Sequence, residues 1–163
     1  MKGAYLLIIK SSKKQRIKIG SLGALLFDKG YYIYVGSAMN SLEARIARHA
    51  RKNKKLFWHI DYLLSHAKIV RIFIKPSNKK QECNIAKIIA KNFSYIPRFG
   101  CSDCKCKSHL FFSKTNPSRE IKKMIPGLKT FGLVQNGIIH QLKIINTSHS
   151  KSNLCLKKSK RYT

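Results

Sequence analysis

The chain has 163 residues, with 34 Lys+Arg against 6 Asp+Glu and a formal net charge of +28. That length, with 44% hydrophobic residues, suffices for one core and leaves no room for two large domains. No apolar run approaches the roughly 18 to 20 residues of a membrane span, and the early run 4–9 is cut off by the basic stretch 11–16, so neither a membrane-spanning nor a secreted protein is expected.

Residues 3–10 are a β-rich apolar run closed by a polar basic turn, which predicts a buried strand. Residues 31–36 predict a second. Between them Gly20, Gly23 and the Asp28-Lys29-Gly30 turn leave room for a short extra strand at 16–19. Asn40 or Ser41 caps a helix whose apolar positions are Leu42, Ile46 and Ala50, with Arg45, Arg48 and His49 on adjacent rows. The cluster Arg51-Lys52-Asn53-Lys54-Lys55 ends it. A second helix is expected at 56–64, with Trp58 in the core, then a strand at 69–74 closed by Pro76. Residues 80–91 predict a third helix, with Ile85, Ile88 and Ile89 at helical spacing. From 92 to 113 the pattern is irregular, and beyond 114 periodicity fades.

The predicted fold is therefore α/β of the α+β kind: a small central antiparallel sheet of three strands flanked by helices. Residues 1–113 form the domain, including a Cys/His-rich segment at 99–113. Residues 114–163 are expected to be a basic tail, since 146–163 in particular is rich in Ser, Asn and Lys.

Charge this one-sided repels itself in a compact chain unless an anion lies beside it, and at this scale the usual anion is a nucleic-acid backbone. Arg48, Arg51, Lys52, Lys54 and Lys55 are the expected backbone contacts. Any chemistry that needs a carboxylate must draw on Asp28, Glu43, Asp61, Glu82, Asp103 and Glu120.

Tyr5 on the first strand and Tyr34 on the second would meet side by side in an antiparallel pair, although a strand tyrosine is ordinarily a packing residue. Arg45 and His49, one helical turn apart, aim a guanidinium and an imidazole at one space. Arg45 suits a phosphate and the charge that develops on it, and is equally an ordinary solvated contact. His49 is a proton carrier or a phosphate donor by its neighbours. Glu82 in the first turn of the third helix leans over the inward stripe. It reads either as an acid on the helix dipole or as the carboxylate a hard divalent cation needs.

Taken in order, Gly3-Ala4-Tyr5, Tyr34-Val35-Gly36-Ser37-Ala38, Arg45-Ile46-Ala47-Arg48-His49, Trp58-His59-Ile60-Asp61-Tyr62-Leu63-Leu64, Glu82-Cys83 and the segment from Phe99 to Leu110 resemble the GIY-YIG nuclease superfamily. The similarity is closer to a mainly archaeal subgroup, first described as a domain of unknown function and also as Uri-type endonucleases. It covers about residues 1–113. Ser37 stands where repair-type relatives often carry a lysine, and Ala4 stands at the name-giving isoleucine.

The resemblance implies an endonuclease that hydrolyses DNA phosphodiesters with one Mg²⁺ or Mn²⁺, leaving a 5′-phosphate and a 3′-hydroxyl. By the same resemblance Glu82 holds the metal, Arg45 stabilises the phosphoryl charge, and Tyr5 or Tyr34 activates the attacking water with help from His49. A phenol, with a reference pKa of about 10, is expected to be helped to ionise by the cations around it. Work in DNA repair or branched-DNA processing is the expected role, beside a glycosylase or other repair protein, in the cytoplasm on the nucleoid. The rival expectations are a basic nucleic-acid-binding module without turnover and a ribosome-associated RNA protein.

Cys101, Cys104, Cys106 and His109 supply four soft or borderline ligands within nine residues, which suggests a tetrahedral Zn²⁺. The one-residue gap between Cys104 and Cys106 crowds a single ion, so His59 or Cys83 is the candidate replacement ligand. The other readings are reduced structural cysteines, and a His109 that contacts phosphate. His59 and Asp61 read as a structural pair or as a pair lining the site.

Overall fold

The computed structural model describes residues 1–135 and 138–141. Nine strands and four helices follow one another as β1 (Gly3–Ser11), β2 (Gln15–Lys18), β3 (Ala24–Phe27), β4 (Gly30–Ala38), α1 (Leu42–Ala50), α2 (His59–Leu64), β5 (Lys68–Pro76), α3 (Glu82–Ile89), β6 (Ser94–Tyr95), β7 (Leu110–Ser113), α4 (Ser118–Met124), β8 (Lys129–Gln135) and β9 (Ile138–Gln141). The class is mixed α/β, as expected from the sequence. No helix among the described residues is long and apolar enough to cross a membrane.

The main sheet has seven strands rather than three, in the order β6-β7-β4-β1-β5-β8-β9, and each neighbouring pair is antiparallel. The three expected strands are β4, β1 and β5 at its middle. They are legible because a central strand buried on both faces is a continuous apolar run: in β1 every residue from Gly3 to Ile9 is buried. The added strands are short, and Gly132 and a register shift opposite Ile72/Phe73 interrupt β8. The stretch 16–19 does form a strand, β2, which pairs with β3 in a separate ribbon.

Two apolar layers cover the sheet. On one face Tyr5, Leu7, Ile9 and Tyr32 pack with Leu42 and Ile46 of α1, Ile60 and Leu63 of α2, and Ile17 and Phe27 of the ribbon. On the other, Ala4, Leu6, Ile8, Ile33 and Val35 pack with Ile85, Ala86 and Ile89 of α3 and Ile121 and Ile125 at α4. Period-two alternation sorts Ala4 to the face opposite Tyr5, as its place in the strand predicts. Ser41, not Asn40, caps α1, accepting the Ala44 N–H at 3.1 Å.

The boundary expected at 113 does not divide the fold. Helix α4 seals the second layer through Ile121, and β8 adds to the edge of β5. An amphipathic helix of one or two turns carries too few periods to be read against a basic background. Of the expected tail, 142–163 lies outside the described residues.

Candidate functional site

Strand register places the two tyrosines. Tyr5 stands opposite Gly36, and Tyr34 opposite Leu7, so the rings are diagonal neighbours rather than a directly facing pair. Their centroids are 6.3 Å apart. Gly36 is required by space: a Cβ there would collide with the Tyr5 ring.

Helix α1 brings His49 beneath them. Its Nε2 lies 2.8 Å from the Tyr5 hydroxyl, and its ring centroid 6.2 Å from that of Tyr34. Burial holds the His49 pKa down at about 3, against the pull of Asp61, so the imidazole is neutral. Its Nδ1 is buried without a hydrogen-bond partner, and Asp61 Oδ1 lies 4.0 Å from it. A carboxylate on that side favours the Nδ1–H tautomer, which leaves Nε2 to accept from the Tyr5 hydroxyl.

Burial raises the pKa of both tyrosines, and the nearby Arg45 guanidinium, which lowers them, does not offset it. The expectation that surrounding cations would ionise a phenol therefore fails for the chain alone. Each phenol stays protonated, and His49 Nε2, 2.8 Å from the Tyr5 hydroxyl, is placed to accept its proton.

Asp61 is wholly buried and makes the strongest polar cluster of this face. Arg48 Nη1 and Nη2 donate to its two oxygens, each at 2.8 Å, and the N–H groups of Phe57 and Trp58 donate to Oδ2 at 3.0 Å. Those bonds, led by Arg48, outweigh burial and hold its carboxyl below the ordinary aspartate value. Hence His59 and Asp61 are not a pair. His59 Nδ1 accepts the Gly100 N–H at 3.0 Å instead.

The expected backbone contacts separate into two groups. Arg48 is committed to Asp61. Lys54 is half-buried and donates to the carbonyls of His49 and Arg51 at 2.7 and 3.0 Å, closing the C-terminus of α1. Arg51, Lys52 and Lys55 are exposed. Trp58, expected in the core, is half-buried and carries both the Arg45 and the Arg48 guanidiniums on its ring, at 4.3 and 4.1 Å from the centroid. Sequence reasoning missed this platform and the role of Asp61 beside it, although both lie in one four-residue phrase.

Glu82 opens α3 on the other layer, at the end of the sheet where β4 reaches Val35. Of the six acids, Asp28 pairs with Lys14, Glu43 with the terminal amine and Asp61 with Arg48. Glu82 Oε2 is buried and has no hydrogen-bond partner. No hydrogen bond or ion pair joins Glu82 to the tyrosines or to His49 among the described residues; its neighbour by charge is the His109 imidazole, whose pKa burial lowers and Glu82 raises.

Next to Glu82, Cys83 joins Cys104, Cys106 and His109, with all four ligand atoms within 4.8 Å of one another. This Cys3His group can hold a metal ion. Cys83 takes the place expected of Cys101, whose thiol turns to the Phe99 carbonyl at 3.5 Å. The reversal at Gly100 (φ 73°) folds the cysteine loop back so that His109 donates its N–H to Phe99 and accepts that of Val35, at 2.8 and 2.9 Å. His109 is thus a cluster residue whose backbone is stitched to β4.

Fold and sites together define a mixed α/β domain with a buried Tyr-His pair on one face and a Cys3His group at the sheet end. The chain belongs to the family described as Domain of unknown function DUF123, whose profile matches residues 4–130. No curated protein and no solved structure matches it.

Proposed function

We propose that the protein is a metal-dependent DNA endonuclease of the GIY-YIG type, hydrolysing phosphodiesters to 5′-phosphate and 3′-hydroxyl ends in repair or branched-DNA processing on the nucleoid. The observation that carries this reading is the Tyr5 hydroxyl held 2.8 Å from a neutral, buried His49. A phenol against an unprotonated imidazole is an arrangement for moving a proton, and packing alone does not call for it.

In this reading Tyr34, which is partly buried, orients the attacking water, and Tyr5 takes that water's proton as its own passes to His49. Arg45, held on Trp58, faces the phosphate and stabilises the charge that develops on it. Glu82 would hold Mg²⁺ or Mn²⁺; the fit rests on its orphaned buried oxygen. When bound, that cation supplies charge neutralisation at the phosphate and the leaving oxygen.

The Cys3His group is proposed to hold structural Zn²⁺. Tetrahedral Zn²⁺ with bonds of about 2.3 Å to sulfur and 2.0 to 2.1 Å to nitrogen would set ligand atoms about 3.5 to 3.8 Å apart. His109 Nε2 lies 3.5 Å from Cys104 Sγ and 3.9 Å from Cys83 Sγ. Because Cys83 follows Glu82 and His109 is bonded to Val35, an ion there would fix the first turn of α3 against β4.

Nicking of supercoiled plasmid with Mg²⁺ or Mn²⁺ at moderate salt tests the activity. The wild type should nick; Glu82→Ala and Arg45→Ala should not, and Glu82→Ala should still shift DNA in a gel. A wild type that binds without cutting, or variants that cut equally well, would leave a zinc-held nucleic-acid-binding module as the better account.

A further inference from the structure

Phe57 is 72% exposed, the most exposed of the large apolar side chains described, and it sits among cations. Arg51, Lys52, Lys55 and Leu56 beside it are also exposed, and the chain from 44 to 60 holds no acid. Yet the loop is anchored: the Phe57 N–H donates to Asp61 at 3.0 Å, and Arg48 donates to the Lys55 carbonyl at 3.3 Å. An apolar ring is thereby held out in water by polar bonds of its own loop.

The ring also ends a row. Tyr5 to His49, His49 to Trp58 and Trp58 to Phe57 are spaced 5.5, 6.0 and 5.8 Å between centroids. The row runs from the buried tyrosine to the surface. Trp58 carries two guanidiniums, whereas the Phe57 ring stands at 80° to it, largely in solvent, with no cation over it among the described residues.

We propose that Phe57 is a stacking platform for an unpaired base of DNA, with Arg51, Lys52 and Lys55 tracking the adjoining phosphates. The proposal rests on the nuclease reading and names its substrate class: strands with unstacked nucleotides, such as flaps, gaps or frayed junctions. A base inside a duplex has both faces covered by its neighbours and offers the ring nothing, whereas a splayed base gains about 1 to 3 kcal/mol from an aromatic face. An apolar protein partner would instead have to desolvate the surrounding cations, with no acid in the loop to pair them.

The test measures binding without metal or cleavage, so its result is independent of nicking. Affinities of labelled oligodeoxythymidylate and of a fully paired duplex are measured by anisotropy at two salt concentrations, and quenching of Trp58, the one tryptophan, reports wild-type contact. Phe57→Ala should lose about 5- to 150-fold in affinity for the single strand, with duplex affinity and salt slope unchanged. Phe57→Tyr should bind like wild type, and Arg51→Ala should weaken both DNAs and reduce the slope. Equal loss on both DNAs in Phe57→Ala, or no loss on either, overturns the platform. A selective loss in a protein that never nicks would keep the platform and remove the enzyme.

Discussion

Asp61 Oδ1 and His49 Nδ1 lie 4.0 Å apart, both wholly buried, while the other nitrogen of the same imidazole meets the Tyr5 hydroxyl at 2.8 Å. The pair is too long for a hydrogen bond and close enough for the carboxylate to bias the imidazole tautomer. Asp61 is itself fixed by the Arg48 fork and two backbone N–H groups. The orientation of the Tyr5–His49 bond is thus set by a structural salt bridge that never faces solvent on its carboxylate side.

The neutral state of His49 has a measurable consequence. Native His49 is held at about 3, while an unfolded histidine titrates near 6.5. Between those values the unfolded chain binds a proton that the native chain does not, so stability falls as pH drops through this window, by up to about 1.4 kcal/mol per unit. Burial shifts His59 and His109 in the same direction, and both add to the slope. Asp61, lowered below the ordinary aspartate value, acts only at more acid pH, where its stabilisation is lost. Urea unfolding between about pH 6 and 4.5 should therefore show a shallower slope for His49→Gln than for wild type. Equal slopes would mean that His49 is charged in the native chain.

Removing Asp61 should be costly. In Asp61→Ala the Arg48 guanidinium and two N–H groups lose their acceptor, and a loss of about 3 to 5 kcal/mol is expected for a broken buried pair. Asp61→Asn keeps an acceptor oxygen and should lose less. Arg48→Lys replaces a two-pronged contact with a single ammonium and should also destabilise. Urea midpoints order the variants; an Asp61→Ala protein within about 1 kcal/mol of wild type would deny the cluster its structural role.

The central strands and α1 were legible because burial writes itself as periodicity: unbroken apolar runs in β1 and β4, and Leu42 and Ile46 at helical spacing behind Ser41. The sheet edges were not, since β6 has two residues, β7 four, and Gly132 interrupts β8. Site residues followed the same division. Tyr5, Tyr34 and His49 come together from local spacing plus one strand pairing. Cys83 could enter the cysteine group only through the packing of α3 against β4, which residue intervals do not encode. Trp58 and Phe57 are adjacent apolar residues with different fates, one under two guanidiniums and one in solvent. Both donate their N–H to the same Asp61 oxygen, a tertiary contact that residue intervals do not encode.

The exchange of Cys101 for Cys83 makes a clean comparison. Zinc content per chain should be near one for wild type and for Cys101→Ser, and should fall sharply for Cys83→Ser, Cys104→Ser and Cys106→Ser. Chelation should lower the melting temperature of wild type and of Cys101→Ser alike. Zinc retained in Cys83→Ser but lost in Cys101→Ser would restore the ligand set expected from the sequence interval.

The two tyrosines should separate kinetically. Tyr5 and His49 share one hydrogen bond, so Tyr5→Phe and His49→Gln each remove the same proton path, and the double variant should nick no more slowly than the worse single one. Losses of about 10²- to 10⁴-fold are expected for a positioned acid–base pair. Tyr34, whose ring packs on both and whose phenol interacts with that of Tyr5, orients the water in this reading, so its loss with Tyr34→Phe should multiply with that of His49→Gln. Single-turnover nicking with saturating enzyme reads both cycles. Multiplying losses for Tyr5 and His49 would mean that the Tyr5 proton does not pass to His49, and a Tyr34→Phe loss absorbed by His49→Gln would place Tyr34, not Tyr5, on the proton path.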